Sequence, residues 1–527
     1  MIMVGLLIAL LLVLIYVYVS KRQSFWKNKG VKHIKPVFLF GDIFRTATQQ
    51  ENFSAFIHRL YNQFKNERYF GCYQFTTPIL IINDLELIKK IGIKSFDHFH
   101  DHPGFPSEEI DPLWSKNLAA STGEKWRKMR TTLSPSFTSS KMKLMFNLIT
   151  NCAEEFVLYF KEQQEDVITV EMKDIFTRYT NDVIATSAFG IKCDSLRNKD
   201  NEFYKKGLIA TDFSGLAALK LLIYQVSPML TKLLKIKIIP EKATNFFGKV
   251  IKDSIKMREE QGIVRPDMIH LLMEARKGNM HDENVEAPEG FAATEEGTKV
   301  SNNKQMEITD EDIIAQALIF FLAGFDTSST LMCYVAYELA INLDIQAKLR
   351  ENIMSTDEKC NGKITYEALM KMKYLDMVIS ETLRKWPPTP ATDRICVKDY
   401  TIPPERPDEK PLVLAKGSTI WFPIYGLHRD PNIFEDPERF DPERFSDENK
   451  SKIDPTSFIS FGIGPRNCIG SRFALMETKI LIYHIIKHFE IVPVKKSVIP
   501  VVLSKKHFNM TVEGGMWFGL KKNLKLK

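Results

Sequence analysis

The stretch that decides the fold is Phe461-Gly462-Ile463-Gly464-Pro465-Arg466-Asn467-Cys468-Ile469-Gly470, a glycine-rich loop that carries a single cysteine. A thiolate is a strong metal ligand when backbone N–H groups stabilise its charge without neutralising it. Gly462, Gly464 and Gly470 let the backbone come close to the sulfur, because glycine has no side chain. The loop therefore predicts that Cys468 is a metal ligand. A buried structural cysteine in a glycine-containing turn is the alternative.

Two neighbours of the cysteine extend this prediction. Arg466 can reach an anionic group on the rim of a bound cofactor, and Phe461 can supply an apolar wall beside the metal. The spelling F-x-x-G-x-R-x-C-x-G resembles the haem-ligand loop of the cytochrome P-450 superfamily. The resemblance implies haem b (iron protoporphyrin IX) as the cofactor and Cys468 as its axial ligand. It also implies the P-450 fold, which is mainly α with small antiparallel β-sheets.

The second motif is Ala323-Gly324-Phe325-Asp326-Thr327-Ser328, which sets an acid and hydroxyls in the middle of an apolar helical segment. Polar groups are costly in such a place unless they have a task. The motif resembles the oxygen-binding segment of the superfamily, in which the acid and the hydroxyl relay protons. The resemblance implies that Asp326 and Thr327 are catalytic and that Gly324 leaves room above a flat cofactor. A helix bend satisfied by a threonine-to-carbonyl hydrogen bond is the alternative.

The helix that carries this motif has a clear predicted start. Thr309 and Asp312 match a capping box, in which each side chain bonds the backbone N–H of the other residue. The apolar pattern that follows predicts a helix to about Leu343, and its first half is apolar nearly all round, which predicts a path through the core. A second membrane span is the alternative. We expect the core helix, because the apolar run ends at Asp326, too soon to cross a bilayer.

Further segments resemble parts of the superfamily that hold the haem. Trp126 and Arg130 stand at i, i+4, so both side chains can point the same way toward an anionic edge. They resemble the W-x-x-x-R segment that contacts the haem propionates. Arg394, in an R-x-C-x-K-D context, resembles another propionate-binding arginine. With Arg466, the resemblance implies three arginines around one cofactor.

A structural ion-pair motif is predicted between two distant segments. Glu381 and Arg384 stand at i, i+3 on a predicted helix, a spacing that in most proteins gives only a weak surface pair. The pair resembles the E-x-x-R motif of the superfamily, which binds a downstream arginine. Arg444 fits as that partner, and Arg439, in a near-duplicate of the same segment, is the alternative. The resemblance implies a structural role for Glu381, Arg384 and Arg444.

The N-terminus contains a candidate membrane anchor. Residues 2–19 are apolar without interruption and long enough to cross a bilayer, with two tyrosines near the interface. A cleaved signal peptide is the alternative, but no basic segment precedes the run and no small-residue cleavage site follows it. The lysines and arginines after the run predict that its C-terminal side is cytoplasmic. We therefore expect a transmembrane anchor over 1–20, a basic linker over 21–41 and a catalytic domain over 42–527.

Composition narrows the functional class. At 527 residues and 44% hydrophobic, the chain can bury a large core. Six of its seven net positive charges lie in residues 1–41, which suits anionic lipid heads and does not suggest nucleic acid. Seven cysteines without a C-x-x-C pair argue against a disulfide framework or a zinc site, and indicate a reducing compartment.

Other segments carry coarser predictions. Residues 70–83 have the pattern of two strands, and 141–273 have a mostly helical pattern. Residues 278–307 hold seven acidic and two basic residues and predict a mobile surface loop. His98, His100 and His102 alternate as in a metal site, although a loop near the substrate entrance is the favoured interpretation. Residues 216–234 predict either a second membrane contact or an ordinary helix pair.

The resemblance extends over essentially the whole chain and is strongest to insect microsomal members of the xenobiotic-metabolising clan. It implies a haem-thiolate monooxygenase anchored in the endoplasmic reticulum membrane, which inserts one oxygen atom from dioxygen into small lipophilic substrates during detoxification. The implied electron donor is an NADPH-dependent flavoprotein reductase, with cytochrome b5 as a further partner. The alternatives are an endogenous hormone or lipid hydroxylase, a reductase-independent haem-thiolate isomerase, and a haem-binding sensor or carrier without turnover.

Overall fold

Helices dominate the computed structural model, which describes residues 2–103, 108–212, 220, 223–224, 228–277, 291–292, 308–507 and 509–523. The α-helices are Ile2–Gln23 (α1), Phe25–Asn28 (α2), Phe44–Ala47 (α3), Phe53–Gln63 (α4), Leu85–Lys89 (α5), Pro112–Ser115 (α6), Gly123–Leu133 (α7), Ser139–Lys161 (α8), Met172–Ser187 (α9), Glu202–Thr211 (α10), Pro228–Leu233 (α11), Glu241–Gln261 (α12), Met268–Arg276 (α13), Asp310–Ile341 (α14), Leu343–Lys359 (α15), Tyr366–Met370 (α16), Lys373–Lys385 (α17), Ile424–Leu427 (α18) and Ser471–His488 (α19). Single turns of 3₁₀ or π type cover Lys90–Lys94, Phe96–His98, Ser134–Phe137, Pro442–Phe445, Lys450–Lys452, Pro455–Ser457 and Gly464–Arg466.

In the described residues, three small sheets flank the helices. The strands are Tyr69–Gln74 (β1), Thr77–Ile82 (β2), Val167–Glu171 (β3), Thr392–Ile395 (β4), Tyr400–Ile402 (β5), Leu412–Leu414 (β6), Thr419–Phe422 (β7), Phe489–Val492 (β8) and Trp517–Lys522 (β9). One sheet has the order β1-β2-β7-β4, another β3-β9-β8, and β5 pairs with β6. All pairs are antiparallel except β2 with β7. The mainly α fold with small, largely antiparallel sheets is as the sequence predicts.

The predicted strand pair within 70–83 is confirmed as β1 and β2, and Phe75 in the turn between them has a positive φ of 56°. The predicted helical stretch 141–273 is also largely confirmed in its described residues, where strand β3 and several connecting segments separate the helices. The sequence pattern missed β3 because the strand is only five residues long and pairs with β9 near the other end of the chain. The predicted loop 278–307 lies outside the described residues except for 291–292, and so do 216–219, 221–222 and 225–227 of the segment 216–234.

Helix α14 is the central helix of the core. Its capping box is confirmed: Asp312 N–H donates to Thr309 Oγ1 over 3.2 Å, and Thr309 N–H donates to Asp312 Oδ2 over 3.0 Å. The helix ends at Ile341, close to the predicted end at Leu343, and by length and composition it could span a bilayer. The argument that its apolar run is too short to cross is therefore wrong, although the predicted length of the helix is confirmed. Its burial favours a core helix over a second membrane span, because 61% of its most apolar window lies inside the protein.

The candidate anchor α1 is docked onto the first sheet at its C-terminal end. Its apolar window has a mean hydropathy of 3.0 and is only 6% buried, but Val19 and Gln23 are buried. Gln23 Nε2 donates to the carbonyls of Val37 and Phe75 over 3.0 and 3.2 Å. The buried Trp26 donates its indole N–H to a carbonyl of β1 over 3.0 Å. The basic segment 21–41 thus packs against the sheet along part of its length.

Candidate cofactor and active site

Cys468 lies at the end of the glycine-rich loop, just before helix α19 begins at Ser471. Protein surrounds the sulfur, yet Cys468 keeps accessible surface while the two residues before it are buried. The side chain therefore faces an internal space. Burial raises the pKa of the Cys468 thiol, while the nearby backbone N–H of Gly470 and the positive charge of Arg130 act in the opposite direction.

Two glycines of the loop are required by the backbone, for a reason other than the predicted one. Gly462 and Gly464 have positive φ angles of 81° and 72°, a region that disfavours side chains. A Cβ on Gly464 would lie 1.9 Å from the carbonyl oxygen of Gly92, in the π-helical turn. Gly470 has an ordinary φ of −90°. Glycine is therefore needed at 464 because the loop packs against a neighbouring turn, not because the backbone approaches the sulfur.

Arg466 is buried among backbone oxygens. It donates to the carbonyls of His100, Leu118 and Ser121 over 2.6, 3.3 and 2.7 Å, and its guanidinium lies 4.2 Å from the ring centre of Trp126. Burial is the largest influence on this group and lowers the pKa of Arg466 to about 9, although Asp101 opposes the change. A guanidinium this deeply buried indicates a place where a further negative charge is stabilised.

Arg130 and Arg394 lie beside the same loop. Arg130 donates to the carbonyl and the side-chain oxygen of Asn467 over 2.9 and 2.7 Å. Arg394, on β4, is fully buried and donates to the carbonyl of Ile463 over 3.0 Å. Burial lowers the pKa of Arg394 to about 10, and Asp393 opposes the change. The structure thus brings the three sequence-predicted arginines, with Trp126, to the cysteine loop.

This donor set fits a haem. Arg394 Nε is buried and makes no hydrogen bond within the described part of the chain, so one donor is unused. Burial lowers the pKa of Arg394 and of Arg466, and a nearby anionic group would offset that cost. The two propionate carboxylates of haem would supply the anions, and Cys468 offers an accessible sulfur. Half-buried Phe461 packs on the main hydrophobic core beside this loop.

One face of α14 points toward the cysteine loop. Gln316 Oε1 accepts the backbone N–H of Leu118 over 2.8 Å. One turn further, Phe320 packs edge-on against Phe137 with ring centres 5.3 Å apart. A Cβ placed on Gly470, two residues after the cysteine, would lie 4.0 Å from the Phe137 ring. Residues at later positions on this face of α14 therefore point toward the region of the cysteine loop as well.

Ala323 and Thr327 continue that face by one and two further turns. Both keep exposed surface, although most of α14 is buried. Thr327 Oγ1 donates to the carbonyl of Ala323 over 2.5 Å, which is the threonine-to-carbonyl bond expected from the motif. The helix nevertheless remains continuous from Asp310 to Ile341. We call the face of α14 on which Ala323 and Thr327 keep accessible surface the open side of the helix. The Thr327 hydroxyl lies on this open side, and its bond to the Ala323 carbonyl does not interrupt the helix.

The prediction that Gly324 leaves room for the cofactor is wrong. A Cβ on Gly324 would meet Cδ1 of Ile184 at 2.9 Å, so this glycine allows α9 to pack closely against α14. Ala323 is the small residue on the open side of the helix. The sequence could not distinguish the two positions, because the neighbouring helix α9 is remote in the chain.

Asp326 is held by residues that the sequence analysis missed. Lys173 on α9 lies 2.8 Å from Asp326 Oδ1, and Asn509 donates to Asp326 Oδ2 over 2.9 Å. Burial raises the pKa of Asp326, but Lys173 and Asn509 outweigh it, and the pKa lies below its ordinary value. Both partners are far from Asp326 in the sequence, so no local pattern could have identified them.

The structural ion-pair motif is fully buried. Glu381 and Arg384 are both 0% exposed and joined by two hydrogen bonds of 2.7 and 2.8 Å. Arg384 also donates to the carbonyl of His428 over 2.8 Å. Arg444 lies 3.5 Å from Glu381 and is 13% exposed, whereas the Arg439 side chain is 68% exposed. The structure therefore has Arg444, and not Arg439, beside Glu381.

The alternating histidines have separate partners. His98 stacks edge-on with Tyr400, with ring centres 5.4 Å apart. His100 pairs with Asp101 over 2.7 Å, and His102 pairs with Asp393 over 2.6 Å. Within the described ranges, no group of three or more His, Cys, Asp or Glu side chains could hold a metal ion. The histidine segment contacts the arginine cluster, by which we mean Arg130, Arg394 and Arg466, because Arg466 donates to the carbonyl of His100.

Comparison with known proteins agrees with this geometry. A family model described as "Cytochrome P450" matches residues 32–517. The chain is 43% identical over 528 residues to "Cytochrome P450 9e2" of Blattella germanica, which covers 97% of this chain and 96% of that relative. It is 41% identical over 524 residues to "Probable cytochrome P450 9f2" of Drosophila melanogaster, with 98% of each covered. It is 35% identical over 512 residues to "Cytochrome P450 6k1" of Blattella germanica, with 97% of this chain and 95% of that relative covered.

Proposed function

Because the chain belongs to the cytochrome P450 family, and is therefore a monooxygenase that binds haem b, we propose that its substrates are small lipophilic compounds, xenobiotics above all. The proposed electron source is NADPH, through a flavoprotein reductase, with cytochrome b5 as a further donor. The observation that carries the proposal is an accessible Cys468 sulfur beside three buried arginines, with the Thr327 hydroxyl on the open side of α14. The proposed place of action is the cytosolic face of the endoplasmic reticulum membrane.

Cys468 and the arginines hold the cofactor in this proposal. Cys468 would bind the haem iron through its sulfur, and Arg130, Arg394 and Arg466 would bind the propionates. A thiolate-ligated haem would supply dioxygen activation. Trp126 stacks on Arg466 and fixes its direction. Phe461 keeps water from the sulfur side.

Asp326 and Thr327 are proposed to bring protons to the open side of α14. A carboxylate at the protein interior can accept a proton from solvent and pass it on, and a threonine hydroxyl can donate and accept in one step. Thr327 now donates to the Ala323 carbonyl, so it must turn its hydroxyl to take part. This pair argues against a haem-thiolate isomerase, which rearranges peroxides and has no need of protons from a relay.

The candidate electron-transfer surface lies on the outer side of α7. Trp126 and Arg130 point inward from this helix, while Lys128 between them is exposed. Lys143, on α8, is exposed as well and pairs with Glu367. A basic surface of this kind supports docking of an acidic protein domain and would make the electron-transfer rate sensitive to salt.

The reaction class and its electron source are tested together by NADPH consumption. The purified holoenzyme, a flavoprotein reductase and a panel of lipophilic compounds would be combined, and NADPH use and product would be followed. We expect substrate-dependent NADPH oxidation with product formation. Turnover of peroxides without reductase would favour the isomerase, and haem binding without any turnover would favour a sensor. Compounds that displace haem-bound water in the spectrum would distinguish xenobiotics from hormones or lipids.

The first prediction from this proposal concerns Thr327→Ala. Haem binding should remain intact, because Thr327 contacts the Ala323 carbonyl and none of the cofactor-binding arginines. Product per NADPH should fall by about tenfold or more, with a matching rise in hydrogen peroxide, because a positioned proton donor typically contributes at least 10²-fold to such a step. The measurement is the ratio of product and peroxide to NADPH consumed.

A matched control for Thr327→Ala is Thr356→Ala on α15. Thr356 donates to the carbonyl of Asn352 over 2.9 Å, so its removal deletes the same kind of hydroxyl-to-carbonyl bond on a helix that carries none of the cofactor-binding or relay residues. Both variants retaining the wild-type ratio of product to NADPH would show that Thr327 only shapes the helix.

The second prediction concerns deletion of residues 2–20. The truncated protein should keep its haem, because every proposed cofactor-binding residue lies at Trp126 or later in the chain. It should stay on membranes in low salt and be released by high salt with mild detergent. We expect this retention because α11 offers a second apolar contact with the membrane. Its residues Met229 and Leu233, and Leu234 just after it, are 84%, 75% and 58% exposed. Complete release into low-salt buffer without detergent would remove the second contact.

A further inference from the structure

Lys173, the second residue of α9, directs its ammonium group at the middle of α14. Its Nζ lies 2.8 Å from Asp326 Oδ1, 2.9 Å from the Asp326 carbonyl, and 2.8 Å from each of the hydroxyls of Ser329 and Thr330. An ammonium group has three protons to donate. The four neighbouring oxygens can therefore accept all three protons of the Lys173 ammonium. All four belong to the single turn of α14 that begins at Asp326.

Asn509 holds the other carboxylate oxygen of Asp326. Its Nδ2 donates to Asp326 Oδ2 over 2.9 Å, and its Oδ1 accepts from the hydroxyl of Thr511 over 2.6 Å. The second bond fixes which end of the amide faces the carboxylate. The next residue, Met510, accepts from Tyr334 on α14 through its carbonyl, over 2.8 Å. Both oxygens of Asp326 are thus fixed by elements that are themselves attached to α14 or packed on it.

The charges around Asp326 favour its ionised form. Burial opposes ionisation, whereas Lys173, Asn509 and the charge of His507 lower the pKa of Asp326. From α19, Glu477 faces Ser328, two residues after Asp326 on α14, and burial raises the pKa of Glu477 well above its ordinary value. Lys173 is therefore the main positive charge that keeps Asp326 ionised.

We propose that Lys173 and Asn509 form a clamp that holds Asp326 as an ionised carboxylate at a fixed place on α14, and that Lys173 is a positioning residue for proton delivery. Under this clamp Asp326 can take up a proton only briefly, because the ammonium charge favours its release. The clamp thereby makes Asp326 a relay that passes protons on, and not a group that retains them. The inference rests on the relay role proposed above for Asp326.

The test compares Lys173→Met with the wild-type full-length holoenzyme. Methionine keeps the length and packing of the side chain and removes the charge. We expect haem binding and the thiolate-type carbon monoxide band to persist, with more hydrogen peroxide per NADPH. Wild-type coupling should be flat across roughly pH 6 to 8, while coupling of the variant should change with pH, because removing an opposite charge at this distance typically shifts a carboxyl pKa by about 1 to 3 units. Lys205→Met is the matched control, since Lys205 forms only an exposed pair with Asp200.

A double-mutant cycle with Asp326→Asn separates this inference from the role of Asp326 itself. We expect Asp326→Asn to uncouple the enzyme and Lys173→Met to add no further pH dependence in that background. If Asp326→Asn leaves coupling unchanged, the relay role of Asp326 is wrong. If Asp326→Asn uncouples the enzyme but Lys173→Met keeps a flat pH profile, or has its full effect in the double variant, the clamp is overturned and the relay role stands.

A second variant decides the matter if Lys173→Met does not bind haem. Asn509→Ala removes the neutral half of the clamp and keeps the Lys173 charge. It should lower product per NADPH while its pH profile stays flat, because Asp326 remains ionised but is held at one oxygen only. Wild-type coupling in Asn509→Ala would overturn the clamp.

Discussion

Cys468→Ala is expected to abolish thiolate ligation of the haem and all monooxygenase activity. The reduced carbon monoxide complex should lose its thiolate-type red-shifted band completely, because alanine offers no metal ligand. None of the other six cysteines lies in a comparable glycine loop, and Cys72, Cys333 and Cys396 are buried in the hydrophobic core, whereas Cys468 keeps accessible surface. The measurement is the absorption difference spectrum of the purified variant.

Cys360→Ala is the matched control for this experiment. Cys360 is half-buried at the end of α15 and contacts none of the residues of the arginine cluster. It should retain the full red-shifted band and wild-type haem content. A Cys468→Ala protein that kept the thiolate-type band would show that another cysteine binds the iron.

Arg384→Ala is expected to cause the largest loss of stability. It would leave the carboxylate of Glu381 fully buried, with its main partner removed. Breaking a buried ion pair in this way typically costs about 3 to 5 kcal/mol, and we expect the free energy of unfolding to fall by roughly that amount. Since the stability of a domain is only about 5 to 15 kcal/mol, much of the variant should lose its haem during purification. The measurement is chemical unfolding of the holoenzyme, followed by helix content and by haem absorption.

Arg439→Ala and Arg444→Ala provide a matched pair for the same motif. Arg444 lies beside Glu381, whereas the Arg439 side chain is 68% exposed and lies 3.9 Å from Asp441. Arg444→Ala should be clearly destabilising, while Arg439→Ala should change the free energy of unfolding by no more than about 0.5 kcal/mol, as for most surface substitutions. A larger loss of stability from Arg439→Ala than from Arg444→Ala would contradict the arrangement described here.

Features set by local chemistry could be predicted from the sequence. The capping box of Thr309 and Asp312 needs only two side chains three residues apart, and both of its bonds are present. The pair β1 and β2 needs only alternation and a short turn. The residues that define the cysteine loop are all within ten positions of one another, so this one segment was enough to predict the family and the cofactor class. The family model and the relatives confirm both predictions.

Features set by contacts between remote segments could not be predicted. The clamp on Asp326 needs Lys173 and Asn509, which lie on an earlier helix and a later loop. The need for glycine at 324 comes from Ile184 on α9, and at 464 from the carbonyl of Gly92. In each case the sequence contains the right residue, but the reason for it becomes visible only when the remote segment is in contact.

The most direct test of the account is the origin of the oxygen atom in the product. The holoenzyme, a flavoprotein reductase and NADPH would be incubated with a lipophilic substrate under isotopically labelled dioxygen, and in parallel in labelled water. The account predicts one labelled oxygen atom per product molecule from dioxygen, none from water, and no product without NADPH. Product that forms without NADPH and carries no label from dioxygen would contradict the proposed monooxygenase reaction.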